Sequence, residues 1–185
     1  SFPTRRSSDL SAAISAVSLV DSINILVIQA LSALAAGGAI LCSQYLGSSN
    51  KKAANESARQ VLFVMTVLSV TLSAICLLFR GPLLHVIFGA VETDVMTNSQ
   101  IYFLFTLLSF PFIGLYDAGA SIMRAQNNSR EPMIISIISN FLNIGGNAIL
   151  IFVFGMGVEG AAISTLVSRI FCAVVVRSEE HTSEL

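Results

Sequence analysis

The chain has 185 residues, of which 54% are hydrophobic and 11% are charged, and its mean hydropathy is +0.79. Soluble domains carry about 25% charged residues, so a freestanding soluble globule is excluded. Ten Lys and Arg residues stand against eleven Asp and Glu residues, which gives a formal net charge of −1. This balance indicates neither a nucleic acid nor an anionic membrane surface as the partner.

Both ends of the chain differ abruptly in composition from the residues between them. Residues 1–10 (SFPTRRSSDL) and 177–185 (RSEEHTSEL) are polar and charged. Both strings look like in-frame translations of sequencing-library adapter DNA, because GCTCTTCCGATCT can be read as Arg-Ser-Ser-Asp-Leu and its reverse complement opens with Arg-Ser-Glu-Glu. We therefore expect two non-native tails around a native segment, 11–176. The alternative is a basic N-terminal arm and an acidic tail.

Long apolar runs predict an all-α, polytopic membrane protein with five membrane-spanning helices. About 20 mostly apolar residues cross the hydrocarbon core of a bilayer, and residues 61–79 and 133–158 are uncharged runs of this kind. The first and third helices are longer than a bilayer needs, so we expect them to tilt or to protrude into water. The predicted helices cover residues 13–46, 58–79, 95–125, 132–154 and 158–176.

The loops between these helices carry an orientation signal, because Lys and Arg in short loops stay cytoplasmic. We expect the loops near 47–59 and 124–131 to be cytoplasmic, in a multi-pass protein of the cell inner (plasma) membrane. Those two loops carry the basic residues Lys51, Lys52, Arg59, Arg124 and Arg130. The other two loops carry Glu92, Asp94 and Glu159, with Arg80 and His85 as their only residues that can be cationic.

Helix breakers place several boundaries. Gly47, followed by Ser-Ser-Asn, predicts the end of the first helix, and Gly81-Pro82 predicts the end of the second. Pro111 lies inside the third predicted helix. It removes a backbone hydrogen bond there, so a kink is predicted near Phe110.

Polar residues of the fourth predicted helix share one side. At 100° per residue they fall within a sector of about 100°. Carboxamides in hydrocarbon must face protein or water. Bonds between packed helices are the simpler explanation, but three Asn beside Gly145 and Gly146 favour a polar cavity. The residues of this row are Ser136, Ser139, Asn140, Asn143 and Asn147.

Asp117 is the sharpest single signal, because an ionisable group deep in a membrane helix is a functional-site hypothesis by default. It stands seven residues, or about 10 Å of helix, before Arg124. A carboxylate that faces amides can hold Na⁺ or exchange a proton. The alternative is that Asp117 only pairs with Arg124 or with another helix. The predicted ion-coupling or cavity residues are Asp117, Asn140, Asn143 and Asn147.

Three further polar residues are weaker candidates. Asp21 lies near the outer end of the first helix and is either interfacial or part of an ion path. Gln29 either lines a cavity or makes a packing contact. Arg169 lies well inside the last helix, where it either snorkels towards water or is paired.

The chain lacks the motifs of catalysis. No phosphate-binding loop, His-Glu-x-x-His or Gly-x-Ser-x-Gly motif occurs in the sequence. The cysteines Cys42, Cys76 and Cys172 lie far apart within apolar runs, so neither a disulfide framework nor a zinc site is indicated. We therefore expect no enzyme and no cofactor, and we expect energy from a gradient of Na⁺ or H⁺.

Four motifs, in order, carry a resemblance to a known family: GAILCSQYLG at 38–47, IMRAQNNSREPM at 122–133, NFLNIGGN at 140–147 and GMGVEGAA at 155–162. The chain resembles the multidrug and toxic compound extrusion family over nearly all of 11–176. The resemblance implies twelve helices in two six-helix lobes, which export cationic or amphipathic drugs and toxic metabolites by exchange for H⁺ or Na⁺. The chain is similar to helices two to six of the N-terminal lobe.

This resemblance also implies partners and an alternative. The partners are the lipid bilayer, amphipathic or cationic small molecules, and the missing first helix and C-terminal lobe of the same protein. Flippases of lipid-linked precursors or polysaccharides share the architecture. A flippase would need several Arg or Lys residues to hold a pyrophosphate, and only Arg169 qualifies. A membrane-embedded enzyme would need a nucleophile with a base, or a metal cluster, at depth.

One departure from the family pattern concerns the ion site. Many members pair an Asn with an Asp one turn later on the fifth helix of the full transporter, and the matching positions here look like Asn143 and Asn147. The acidic member is then missing, and a carboxamide cannot titrate. Our hypothesis is that Asp117 supplies the charge, so that Asp117, Asn143 and Asn147 together bind Na⁺.

Overall fold

The computed structural model describes residues 2–89 and 93–183, and in this part of the chain no strand occurs. Five of its helices are long and apolar enough to cross a membrane, which confirms the predicted all-α, polytopic fold. The elements in chain order are α1 (Phe2–Gly47), α2 (Lys51–Leu78), α3 (Arg80–Phe88), α4 (Thr93–Ala125), α5 (Arg130–Asn147), a π-helical segment (Ala148–Val153) and α6 (Val158–Ser183).

The first and last helices of the chain include most of the residues predicted to be tails. α1 begins at Phe2 and α6 ends at Ser183, so the polar ends continue the helices of the bundle. Three parts of the sequence interpretation lie outside the described residues: Ser1 of the first tail, residues 184–185 of the second, and Glu92 of the acidic loop.

The turn between α1 and α2 ends one helix and begins the next within three residues. Ser49 adopts a positive φ of 60°, and the Asn50 N–H donates to the Tyr45 carbonyl at 3.0 Å. The Asn50 side chain accepts a hydrogen bond from the Ala53 N–H at 3.1 Å, as an N-cap does. Because of this cap α2 begins at Lys51, before the apolar run that had predicted a start at 58.

α3 is a short helix that the sequence interpretation missed. Gly81-Pro82 were expected only to end the second helix, and α2 does end just before them, at Leu78. The chain then returns to helix at Arg80. Pro82 lies in the first turn of α3, where a backbone N–H has no partner within the helix. The fully buried Leu84 holds α3 against the core.

α4 is the central helix and packs against α1, α2 and α6. Its N-terminal half contributes Phe103, Leu107 and Phe110 to a buried cluster with residues of α1, α3 and α6. Its C-terminal half contributes Ala118 and Ile122 to a second cluster with α1 and α2. Both of these buried clusters therefore include α4.

Two small residues shape the contact between α2 and α4: Gly114 on α4 permits the close approach, and Ser73 on α2 makes a hydrogen bond to α4. A Cβ atom on Gly114 would lie 2.6 Å from the Ser69 hydroxyl oxygen and 3.3 Å from the Met65 carbonyl oxygen, so only glycine fits. Pro111 lacks an N–H, which leaves the Leu107 carbonyl without its donor one turn later. The Ser73 hydroxyl of α2 donates to that carbonyl at 2.6 Å. α4 thus continues as one helix through Pro111.

α5 lies at the edge of the bundle and packs mainly against α6. Its buried residues are Pro132 and Ile135, whereas large apolar side chains on its other faces are exposed, among them Met133, Phe141 and Ile144. The helix widens into the π-helical segment and ends before Gly155, whose φ of 67° suits glycine.

The turns 48–50 and 126–129 lie at the same end of the bundle, because Gly47, Gln126 and Asn127 line one depression. We call this the basic end, since Lys51, Lys52, Arg124 and Arg130 begin or end the helices there.

Candidate functional site

The first polar cluster lies between α5 and α6. The Asn143 amide donates to the Thr165 hydroxyl oxygen at 3.3 Å, and the Asn147 amide donates to the Asn143 side-chain oxygen at 3.3 Å. The Oδ1 atom of Asn147 is buried and has no hydrogen-bond partner among the described residues. We call Asn143, Asn147 and Thr165 the amide cluster. It presents oxygen atoms inside the bundle, one of them unsatisfied.

The backbone of α5 and α6 brings this cluster together. A Cβ atom on Gly146 would lie 2.4 Å from the Ser164 hydroxyl oxygen, so glycine permits the close approach. The Ser164 hydroxyl donates to the Asn143 carbonyl at 2.8 Å, and the Ser139 hydroxyl donates to the Ser168 carbonyl at 3.2 Å. Ser139 and Asn143 of the polar row therefore face α6, whereas Asn140 is exposed.

Asp117 has different surroundings. The Ser32 hydroxyl of α1 donates to its Oδ2 atom at 2.7 Å, and Oδ1 accepts no hydrogen bond from the described residues. Asp117 lines a groove between α1 and α4 with a volume of about 610 Å³. We call it the α1–α4 groove; its polar lining is formed by Ser32, Ser43, Tyr116, Asp117, Ser121 and Arg124.

Asp117 and the amide cluster do not form one site through side-chain contacts. Asp117 bonds to α1, whereas Asn143 bonds to α6. In the described part of the chain no hydrogen bond joins the two groups. The hypothesis of a common Na⁺ site at Asp117, Asn143 and Asn147 is thus not supported by the geometry, because α4 presents Asp117 to α1 and α5 turns its amides away.

The alternative pairing of Asp117 with Arg124 is also not formed. The Nε atom of Arg124 donates to the Ala120 carbonyl one turn earlier, at 3.0 Å, and the Arg124 side chain is exposed. The described residues contain no ion pair between the two groups. The two charges instead stand apart along one wall of the α1–α4 groove.

The weaker candidates fall in two environments. The Tyr102 hydroxyl donates to Asp21 at 3.3 Å, and the Arg169 guanidinium donates to the Ser109 hydroxyl oxygen, so both charged groups bond to α4. Gln29 is exposed and has no hydrogen bond within the described residues. Asp21 and Arg169 therefore help to join α1 and α6 to the central helix.

Sequence reasoning missed the hydroxyl partners of these groups, which are Ser32, Tyr102, Ser109 and Thr165. Serine and threonine are frequent in the chain, and nothing local distinguishes those that meet a charge. It also missed Asn24, whose side-chain oxygen is buried without a partner among the described residues. Its position three residues after Asp21, on the same face of α1, was the available signal.

Comparisons with known proteins agree with this architecture. The sequence model of the MatE family matches residues 10–149. The uncharacterized transporter YisQ of Bacillus subtilis is 32% identical over 162 residues, which are 85% of this chain and 35% of YisQ. The probable multidrug resistance protein NorM of Thermotoga maritima is 29% identical over 177 residues, or 91% of this chain and 38% of NorM.

A solved structure supports the fold. The inward-facing conformation of a MATE family multidrug resistance transporter superposes with a TM-score of 0.85 at 22% identity, covering 91% of this chain and 38% of that one. The chain thus spans little more than a third of the length of the proteins it matches. The chain belongs to the MatE family, the multidrug and toxic compound extrusion family that its motifs had indicated, whose members are transporters rather than enzymes.

Proposed function

We propose that the complete protein is an ion-coupled antiporter that exports cationic or amphipathic drugs and toxic metabolites by alternating access. Membership of the MatE family supports this proposal, as does the similarity to a protein named as a probable multidrug resistance protein. The described helices would form most of the N-terminal lobe. The first helix and the C-terminal lobe would complete the transport path, since alternating access needs two bodies that move around a central site.

The observation that carries the ion-coupling part is the amide cluster. Amide and hydroxyl oxygens are ligands that hard cations accept, and the buried Oδ1 atom of Asn147 has no partner among the described residues. An unpaired polar atom in a membrane interior costs several kcal/mol. A bound Na⁺ would satisfy it. Proton coupling would require a carboxylate elsewhere, because the amides do not titrate.

The orientation is part of the same proposal. The basic end carries Lys51, Lys52, Arg124 and Arg130, and basic residues in short loops stay cytoplasmic. We place the basic end in the cytoplasm and the protein in the inner membrane of the cell. Cysteine labelling from either side of intact cells, at Ser48→Cys and at Thr93→Cys, tests the orientation.

The coupling proposal is tested with the complete transporter in proteoliposomes. Uptake of ethidium, a lipophilic cation, is driven by either a Na⁺ gradient or a pH gradient. Asn147→Ala should abolish gradient-driven uptake, whereas Asn140→Ala, at an exposed position of the same helix, should retain it. Unchanged coupling in Asn147→Ala would remove the amide cluster from the ion path. If ethidium is not transported but a lipid-linked pyrophosphate is, the protein is a flippase.

A further inference from the structure

The α1–α4 groove is a polar depression that the proposed ion path does not use. Its volume of about 610 Å³ lies within the range of about 300 to 1,000 Å³ that is typical of small-molecule sites. It shares Ser43, Arg124 and Ala125 with the depression that reaches Gly47 and Asn127. The groove is therefore continuous with the basic end of the bundle.

Opposite charges lie at the two ends of this groove. Asp117 and Arg124 are seven residues apart on α4, or about 10 Å along the helix. Ser32 occupies one carboxylate oxygen of Asp117 and leaves the other without a donor. Ala120 accepts from the Nε atom of Arg124, which leaves the terminal guanidinium nitrogens available. Each charge is thus held by one hydrogen bond and retains capacity for a second partner.

The wall opposite α4 is formed by α1 and carries both apolar and polar side chains. Ala36, Ala39 and Ile40 of α1 offer a hydrophobic strip, with the Ser43 hydroxyl at its end. Apolar walls with a few placed polar groups are the usual composition of a ligand site. A small molecule that fits must therefore be apolar in the middle and charged at its ends.

We propose that the α1–α4 groove binds a zwitterionic amphipath, with its cationic group at Asp117 and its anionic group at Arg124. The proposal deepens the proposed function, because it names a substrate class and a site at the basic end. It assigns Asp117 to ligand binding and leaves ion coupling to the amide cluster. A carboxylate that accepts charged hydrogen bonds and a guanidinium that donates them provide the two anchors.

Binding to the complete purified transporter, measured by calorimetry without any ion gradient, tests this directly. Three probes share an eight-carbon chain: 8-aminooctanoate carries both charges, octylammonium only the cation, and octanoate only the anion. 8-Aminooctanoate should bind most tightly. Asp117→Asn should weaken 8-aminooctanoate and octylammonium by about tenfold, the loss expected for one charged hydrogen bond, and leave octanoate unchanged.

Arg124→Gln should give the mirror result, with 8-aminooctanoate and octanoate weakened and octylammonium unchanged. Two control substitutions change the net charge of the protein by the same amount as the groove variants but lie outside the groove. They are Asp94→Asn for the carboxylate and Arg59→Gln for the guanidinium, and neither should alter binding. If both groove variants bind all three probes as the unmodified protein does, or if no probe binds, the groove is not this site.

A second measurement separates this proposal from that of ion coupling. When 8-aminooctanoate is supplied at a concentration that saturates both proteins, its transport under a Na⁺ gradient should persist in Asp117→Asn and fail in Asn147→Ala. If Asp117→Asn instead abolishes gradient-driven transport of every probe that it still binds, Asp117 is the coupling residue and the substrate site is refuted. Failure of Asn147→Ala to affect coupling would refute only the proposed ion path.

Discussion

The central helix α4 and the edge helix α5 are both apolar enough to span a bilayer, yet they are held in different ways. Half of the apolar span of α4 is buried, against 6% of that of α5. α4 is fixed by close packing around Gly114 and by buried aromatic and aliphatic side chains. α5 is joined to α6 by amide and hydroxyl groups. In a lipid-facing protein, hydropathy identifies the helices, and small or polar residues decide their neighbours.

The largest effect is expected at Gly114, where α4 packs against both a side chain and the backbone of α2. Gly114→Ala should lower the free energy of unfolding by about 1 to 3 kcal/mol, the usual cost of overpacking, because Ser69 and the Met65 carbonyl leave no room for a methyl group. Denaturant unfolding of the purified protein in mixed micelles measures it. Gly37→Ala is the matched control, since no atom lies within 4 Å of a Cβ there. An equal loss in both variants would mean that α2 and α4 are not packed as described.

The next effect concerns the carbonyl that Pro111 leaves without a donor. Ser73→Ala should cost about 1 to 2 kcal/mol, because it leaves the buried Leu107 carbonyl unsatisfied. Pro111→Ala restores an N–H to the same carbonyl. In that background Ser73→Ala should therefore cost clearly less, which a double-mutant cycle of unfolding free energies measures. Strict additivity of the two substitutions would contradict the role given to Ser73.

At the α5–α6 contact, two adjacent glycines provide their own comparison. Gly146→Ala should destabilise by about 1 kcal/mol through contact with Ser164. The loss should be smaller than at Gly114, because the added methyl group would lie 3.2 Å from the Ser164 Cβ atom but 2.7 Å from the Ser69 Cβ atom, which cannot rotate away. Gly145→Ala meets no atom within 4 Å and should be neutral or slightly stabilising through helix propensity. Thermal unfolding of both variants in detergent decides it. A larger loss of stability in Gly145→Ala than in Gly146→Ala would mean that a different face of α5 packs against α6.

The smallest effect is a single polar bond between α5 and α6. A double-mutant cycle with Asn143→Ala and Thr165→Ala should give a coupling of about 0.6 kcal/mol, the average for such bonds between membrane helices. The Asn143 to Thr165 distance of 3.3 Å is consistent with a bond of this modest strength. A coupling near zero would show that the amide cluster contributes nothing to the packing of α5.

The sequence predicts the number of membrane-spanning helices, because lipid imposes a minimum apolar length, but it does not predict the short α3. It predicts the ends of the spanning helices less well, since polar residues extend helices beyond the bilayer: α2 begins at Lys51 rather than 58. The spacing of Asn143 and Asn147 places both on one face. Which helix that face meets is a tertiary question, and so is the pairing of Asp117 with Ser32, a residue 85 positions away.

The π-helical segment after Asn147 has a consequence for reading related sequences. A π-helical turn holds about one residue more than an α-helical turn, and this segment, Ala148–Val153, forms the last turn of the helix before the connection to α6. A relative with one residue fewer at this point would close the same turn as an ordinary α-helix. We therefore expect that a single-position alignment gap within 148–153 leaves the preceding face of α5, with Asn143 and Asn147, unchanged.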